Sequence, residues 1–249
     1  MPGARRSLAA ALAVLTLTAC GSANGGAQAA SDFDDWLAEH PFDGMRVADS
    51  TSAQGLPFSG SADITVAVAA TDVEAGARHV CGFEPRAAAT VRLSVAADGV
   101  AVPVDCADPA GTADTWRLLA DLDGLEEVEI GPGEATVRFA DTRSALAGWD
   151  AVRRLPSASF TLEAPADWTL ADRPGTTADA RAIVRDAMAS IYVVESATLT
   201  PTTPARDEHV ELVVAFDGPL LEQELLAGHP ERRGRFTVVE PPYSGPGTS

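Results

Sequence analysis

Val91-Arg92-Leu93-Ser94-Val95-Ala96-Ala97-Asp98-Gly99-Val100-Ala101-Val102-Pro103-Val104 places an apolar residue at every second position on both sides of an Asp-Gly pair. A period of two marks a strand with one buried face, and Asp-Gly supplies the left-handed backbone that a two-residue hairpin turn requires. The stretch therefore reads as a β-hairpin. Upstream, Ile64, Val66 and Val68 alternate with Thr65 and Ala67 in the same way. Downstream, Trp116, Leu119 and Leu122 share one face at helical spacing, and Val128 and Ile130 form a further strand. A second return, through Gly131-Pro132-Gly133, joins that strand to Ala135, Val137 and Phe139.

Strand-helix-strand-strand-helix-strand is the order of the ferredoxin-like sandwich, and residues 61–131 fit one copy. Helical stripes recur at Leu146, Trp149 and Val152, with Asp141 or Thr142 as N-cap, and at 177–190, where Ile183, Val184, Ala187 and Met188 align. Leu220, Leu221, Leu225 and Leu226 mark one more helix, ending at Gly228. Further strands are expected at 160–162, 191–198, 210–216 and 236–239, with a loop over 165–175. An internal echo supports a repeat: Trp36, Trp116 and Trp149 are each followed six residues on by Phe42, Leu122 and Leu155, then by a turn. The expected fold class is α+β: two tandem ferredoxin-like sets of helix-strand-strand units, over 32–131 and 132–240, with antiparallel sheets that carry helices on one face. Because the strands alternate, each sheet is expected to carry helices on one face and water or a partner on the other.

The chain opens with Arg5 and Arg6, an apolar run over 8–19, and then Cys20 directly after Leu17-Thr18-Ala19. Charge, apolar core and small residues make a secretion signal, and the run of 12 residues falls short of the roughly 20 needed to span a bilayer. Leu-Thr-Ala-Cys resembles the lipobox of bacterial lipoproteins. The resemblance covers about the first 20 residues. It implies a signal peptide over 1–19, lipidation of the Cys20 sulfur, and export to the outer face of the cell membrane. Residues 21–31 are small and uncharged, the composition of a flexible tether of about 20 Å, and 241–249 read as a loose tail. With Cys20 assigned to lipid, Cys81 and Cys106 are left to pair as a disulfide in an oxidising compartment.

Without residues 1–19 the chain keeps 16 arginines against 36 acids, a net side-chain charge of −20. Such a surface repels nucleic acid and anionic head groups. Every basic residue is arginine, which excludes Schiff-base chemistry and a P-loop lysine. The wealth of Ala, Arg, Gly, Val and Asp points to a GC-rich genome of the actinobacterial kind.

No G-x-S-x-G window and no H-E-x-x-H pair occurs. His40 and His229, each before a proline, read as loop residues, and His209 as a solvent-facing strand position. Asp121-Leu122-Asp123-Gly124-Leu125-Glu126-Glu127 opens like a calcium loop and lacks its later ligands, so it reads as a solvated turn. Asp32, Asp34 and Asp35 read as charge in a helix's first turn, and Arg153, Arg154, Arg232, Arg233 and Arg235 as partners of the surplus acids. No catalytic, cofactor-binding or metal-binding residue is assigned, and no cofactor is expected. The reading is a lipid-anchored extracytoplasmic binding or adaptor protein, joined to the membrane through Cys20, with an envelope protein or ligand as partner. Its rivals are a cell-envelope hydrolase working through acidic pairs and a solute-binding lipoprotein.

Overall fold

The computed structural model describes residues 25–54, 60–86, 89–131 and 133–241; Cys20 lies outside them. In chain order the elements are α1 (Gly25–Glu39), β1 (Arg46–Gln54), β2 (Gly60–Ala67), α2 (Val73–Val80), β3 (Ala89–Ala97), β4 (Val100–Pro103) and α3 (Pro109–Ala120). There follow β5 (Leu125–Gly131), β6 (Glu134–Phe139), α4 (Thr142–Val152), β7 (Ser159–Ala164), β8 (Trp168–Asp172), α5 (Ala178–Ala189), β9 (Val194–Thr200), β10 (His209–Val214), α6 (Gly218–Gly228) and β11 (Phe236–Val239). Helix-strand-strand is thus repeated from one end of the described chain to the other. The fold is mixed α/β with two sheets, and the chain divides into two compact units, one around each sheet.

The first sheet has the order β1-β2-β3-β4. β1 and β2 are antiparallel; β2 and β3 are parallel in the register Gly60↔Ala89 to Ala67↔Ala96, with α2 in the crossover. This is not the ferredoxin-like order. That fold splits its βαβ unit by inserting a third strand, whereas here β2 and β3 hydrogen-bond directly. β5, which the sequence reading placed with this set, belongs to the second sheet. Periodicity identifies strands, but it carries no information about which strands become neighbours.

Helix α1 packs over this sheet, and Ala62, Ile64 and Val66 are buried with Ala29 and Phe33. The tether expected to reach Ser31 is helical from Gly25. The physical reason is close approach: Gly25 and Gly26 are buried, and a Cβ on Gly26 would lie 2.7 Å from the Ala53 carbonyl oxygen and closer still to that of Ser61. Only glycine lets the helix backbone sit there, so the small residues that suggest a linker are a packing surface. Asp32, Asp34 and Asp35 consequently lie in mid-helix. Asp32 is buried, accepting from Gln28 Nε2 at 2.9 Å and Arg86 N at 3.3 Å.

The second sheet runs β11-β10-β9-β8-β7-β6-β5, with antiparallel and parallel pairings in strict alternation, so both sheets are mixed and not antiparallel as expected, because each helix crossover returns the chain in the same direction. Each antiparallel pair is a two-strand excursion, and each parallel pair is bridged by a helix: α4, α5, then α6. Val137, Leu162, Leu170, Ala197 and Leu212 lie in register across the sheet and are all buried, and α4, α5 and α6 pack on that one face. Beneath them Phe139, Trp149, Phe160, Leu162, Leu170, Ile183, Leu199, Leu212 and Leu221 are fully buried. Side chains set the helix starts: Asp141 accepts from Ser144 N at 2.8 Å, and Thr177 Oγ1 from Ala180 N at 3.3 Å. The loop expected over 165–175 is largely a hairpin. Ala166 and Asp167 take left-handed backbone, and β8 then buries Trp168, Leu170 and Asp172.

Asp172, 1% exposed, ends β8 as an acceptor for four donors. Trp149 Nε1 at 2.8 Å, Thr176 Oγ1 at 2.7 Å, Arg173 N at 2.7 Å and Arg153 Nη1 all reach it. Arg153 also donates to Thr176 Oγ1 at 2.7 Å. This cluster ties α4 to the turn that starts α5.

Candidate functional site

With the helices on one side, alternate residues of the seven strands face the other way, and the register aligns them in rows. One row crosses the whole sheet as Glu129, Thr136, Thr161, Ala171, Thr198, Glu211 and Thr237. The next reads Glu127, Arg138, Glu163, Thr169, Ser196, Val213 and Val239. None of these residues is buried. The face consists mainly of short hydroxyl and β-branched side chains, which strand positions favour and which have few rotamers to lose. His209 belongs to it as well, half-exposed, with Nε2 3.1 Å from Thr237 Oγ1.

Charge is concentrated at the β5 side. Arg138 sits between two acids, donating to Glu163 Oε2 from Nε at 3.2 Å and Nη2 at 3.0 Å and to Glu127 Oε2 from Nη1. These carboxylates, Glu163 first, hold the guanidinium pKa above its ordinary value. Beside the triplet the β7–β8 hairpin leaves a hollow of about 360 Å³, where Glu126, Glu163 and Asp167 approach Trp168 and Phe139. The Trp168 indole N–H, buried among them, has no hydrogen-bond partner. Carboxylates do converge here, although a glycosidase acid needs an apolar, charge-free setting, and Glu163 has a cation on it.

Cys81 and Cys106 form a disulfide with Cα atoms 5.4 Å apart, joining the end of α2 to the segment before α3. The acidic stretch at 121–127 is divided: Asp121 and Asp123 remain in the turn after α3, while Glu127 enters β5 opposite Arg138. Arg153 meets Asp172, Arg232 meets Asp186 at 2.6 Å, and Arg235 meets Asp179 at 3.2 Å and Glu208 at 3.0 Å.

One constellation has no signal in the sequence. His40 and His79, 39 residues apart, gather around Trp36, each ring centroid 5.1 Å from the indole. His79 Nε2 donates to the His40 carbonyl at 2.8 Å, and His40 Nδ1 to that of Trp36 at 3.0 Å. Phe42 and Phe83 complete the group, which closes the end of α1 against α2. One nitrogen of each imidazole is engaged by a backbone carbonyl, and both rings pack on Trp36. The chain matches no family model, no curated protein and no solved structure.

Proposed function

We propose that this chain is a lipid-anchored protein of the extracytoplasmic face of the cell membrane, held by Cys20, that acts by binding. The open face of the seven-stranded sheet is its contact surface. The observation that carries the reading is the pair of rows crossing all seven strands on the side opposite the helices, in which nine of fourteen side chains are Thr, Ser, Val or Ala. Seven strands at about 4.8 Å spacing make a face about 30 Å across, the scale of a specific protein interface. Thr, Ser and Val lose little rotamer freedom on contact, so docking is spared much of the roughly 0.5–1.5 kcal/mol that each long side chain costs to immobilise. The acids along β5 give one side of the contact its electrostatic direction and favour a partner that presents basic groups there.

The test uses the tagged, lipidated chain on intact cells with a photocrosslinking residue at Thr161 or Thr198 on the open face, or at Ala147 on the exposed side of α4. A discrete protein adduct from the two sheet positions and none from Ala147 is the expected result. Adducts confined to Ala147 would overturn the assignment of the face. Membrane fractions test the anchor separately: Cys20→Ala should release the protein or leave it unprocessed, and unchanged partition would overturn lipidation.

A further inference from the structure

We infer that one pole of the first unit, where α1 begins, is the surface that lies against the lipid head groups. The inference rests on the lipid anchor at Cys20 and goes beyond it, because an anchor alone fixes attachment and not orientation.

Two independent observations carry it. The first is reach. Four residues separate Cys20 from Gly25, and five residue steps of fully extended chain span at most about 17 Å. Gly25 is the first residue of α1, and α1 is seated rigidly: Gly26 is buried against the carbonyls of Ala53 and Ser61, and a Cβ on Gly60 would meet the Gly26 backbone. A lipid on Cys20 therefore keeps the start of α1 within about 17 Å of the lipidated residue. The same pole carries the end of β1 and the starts of β2 and β3, since β2 and β3 run parallel from Gly60 and Ala89.

The second is charge. Residues 25–31, 50–54, 60–62 and 89–91 meet at this pole, and none of them is charged, in a chain with 36 acids. The first acid on α1 is Asp32, seven residues and about 10 Å up the helix. Along β2 the first is Asp63, about 10 Å from the strand's start and paired with Arg92 at 3.2 Å. The uncharged belt is thus about as deep as the Debye length at physiological salt, about 8 Å. Acids inside that distance would be repelled by anionic head groups; acids beyond it are screened. Among the described residues, these segments at the pole carry no acid.

The experiment reconstitutes full-length lipidated protein in vesicles of phosphatidylcholine and phosphatidylglycerol that carry a nickel-chelating lipid. Nitroxide side chains are placed by amber suppression, which leaves the native cysteines untouched, at Ser52 and Thr90 on the pole and at Asp43 and Thr71 at the opposite end of the sheet, all exposed. Ser52 and Thr90 pair with Ala62 and Ser61, and β2 runs on from there to Ala67, so the two pairs lie at least about 16 Å apart. Nickel-dependent relaxation several-fold stronger at Ser52 and Thr90 than at Asp43 and Thr71 is the expected result. Equal relaxation at both ends, or the reverse order, would overturn the orientation while leaving the anchor standing. If the protein fails to pellet with the vesicles, or if Cys20→Ala pellets equally well, the anchor reading falls and the oriented pole falls with it.

Discussion

Asp172→Asn is the substitution whose consequence the structure fixes most closely. The carboxylate is 1% exposed and accepts from Trp149 Nε1, Thr176 Oγ1, Arg173 N and Arg153 Nη1. The asparagine amide keeps the shape, but it offers one acceptor oxygen where there were two and points N–H groups at donors. It also leaves Arg153, whose side chain is 17% exposed, without its counter-charge. Breaking a buried pair from one side costs about 3–5 kcal/mol. Arg153 retains Thr176 Oγ1 and some solvent, so the lower end, about 3 kcal/mol, is expected. Against a total of about 5–15 kcal/mol this is a large fraction. Urea unfolding followed by far-ultraviolet circular dichroism reads it as a lower midpoint at unchanged slope. Arg153→Met completes a cycle: once the charge is gone, Asp172→Asn should cost at least about 1.5 kcal/mol less than in the parent chain. A single-variant cost below about 1 kcal/mol, or a cycle that closes additively, would refute the claim that this pair locks α4 to the start of α5.

Three further outcomes follow from the same reasoning. Reducing Cys81–Cys106 opens a crosslink of sequence separation 25, which by loop-closure entropy stabilises the first unit by about 3.5 kcal/mol; native protein should resist thiol reagents, and immediate labelling would refute the bond. Gly26→Val forces a side chain into the Ser61 and Ala53 carbonyls and should cost about 3 kcal/mol, read as proteolytic release of α1, whereas Ala27→Val should leave α1 protected. The Asp141 carboxyl is held below its ordinary value of 3.8, chiefly by the Ser144 backbone N–H. Its capping contribution is therefore complete above pH 3.8 and is lost as pH falls through the lower folded value; Asp141→Ala should lower stability at neutral pH and remove that component of the acid dependence, read by urea midpoints.

Elements were legible in the sequence wherever a period was long enough to be unambiguous. The Val91–Val104 hairpin, the α4 stripe with its Asp141 cap and the α5 stripe with Thr177 before it all stand where their spacing puts them. The misread segments are those in which tertiary packing uses residues that mean something else locally. Gly25 and Gly26 look like linker and are a close-packed helix start; Pro165 to Gly175 looks like a loop because its strand has a carboxylate, Asp172, at a core position. An acid at a core position signals a strand only when its donors are known, and those come from Trp149 and Arg153 on another helix. The Trp36 cluster was invisible for the same reason, since His40 and His79 meet only after β1, β2 and α2 have folded between them.

The open face follows from the repeat itself. A strand pair closed by a hairpin, then a helix, then another pair gives parallel contacts only between repeats, each bridged by one helix. The buried apolar residues of these strands share one face, and α4, α5 and α6 all cover that face. The uncovered side can be solvated by polar residues or matched to a partner. Solvation alone is usually served by long charged side chains, as on β5 with Glu126, Glu127 and Glu129. From β6 to β11 the same side carries mainly Thr136, Thr161, Thr169, Ser196, Thr198 and Thr237, with Val213 and Val239 among them and Arg138, Glu163 and Glu211 as its charges. Short side chains on a broad sheet leave the backbone approachable, a property that water does not require and that a contacting surface does.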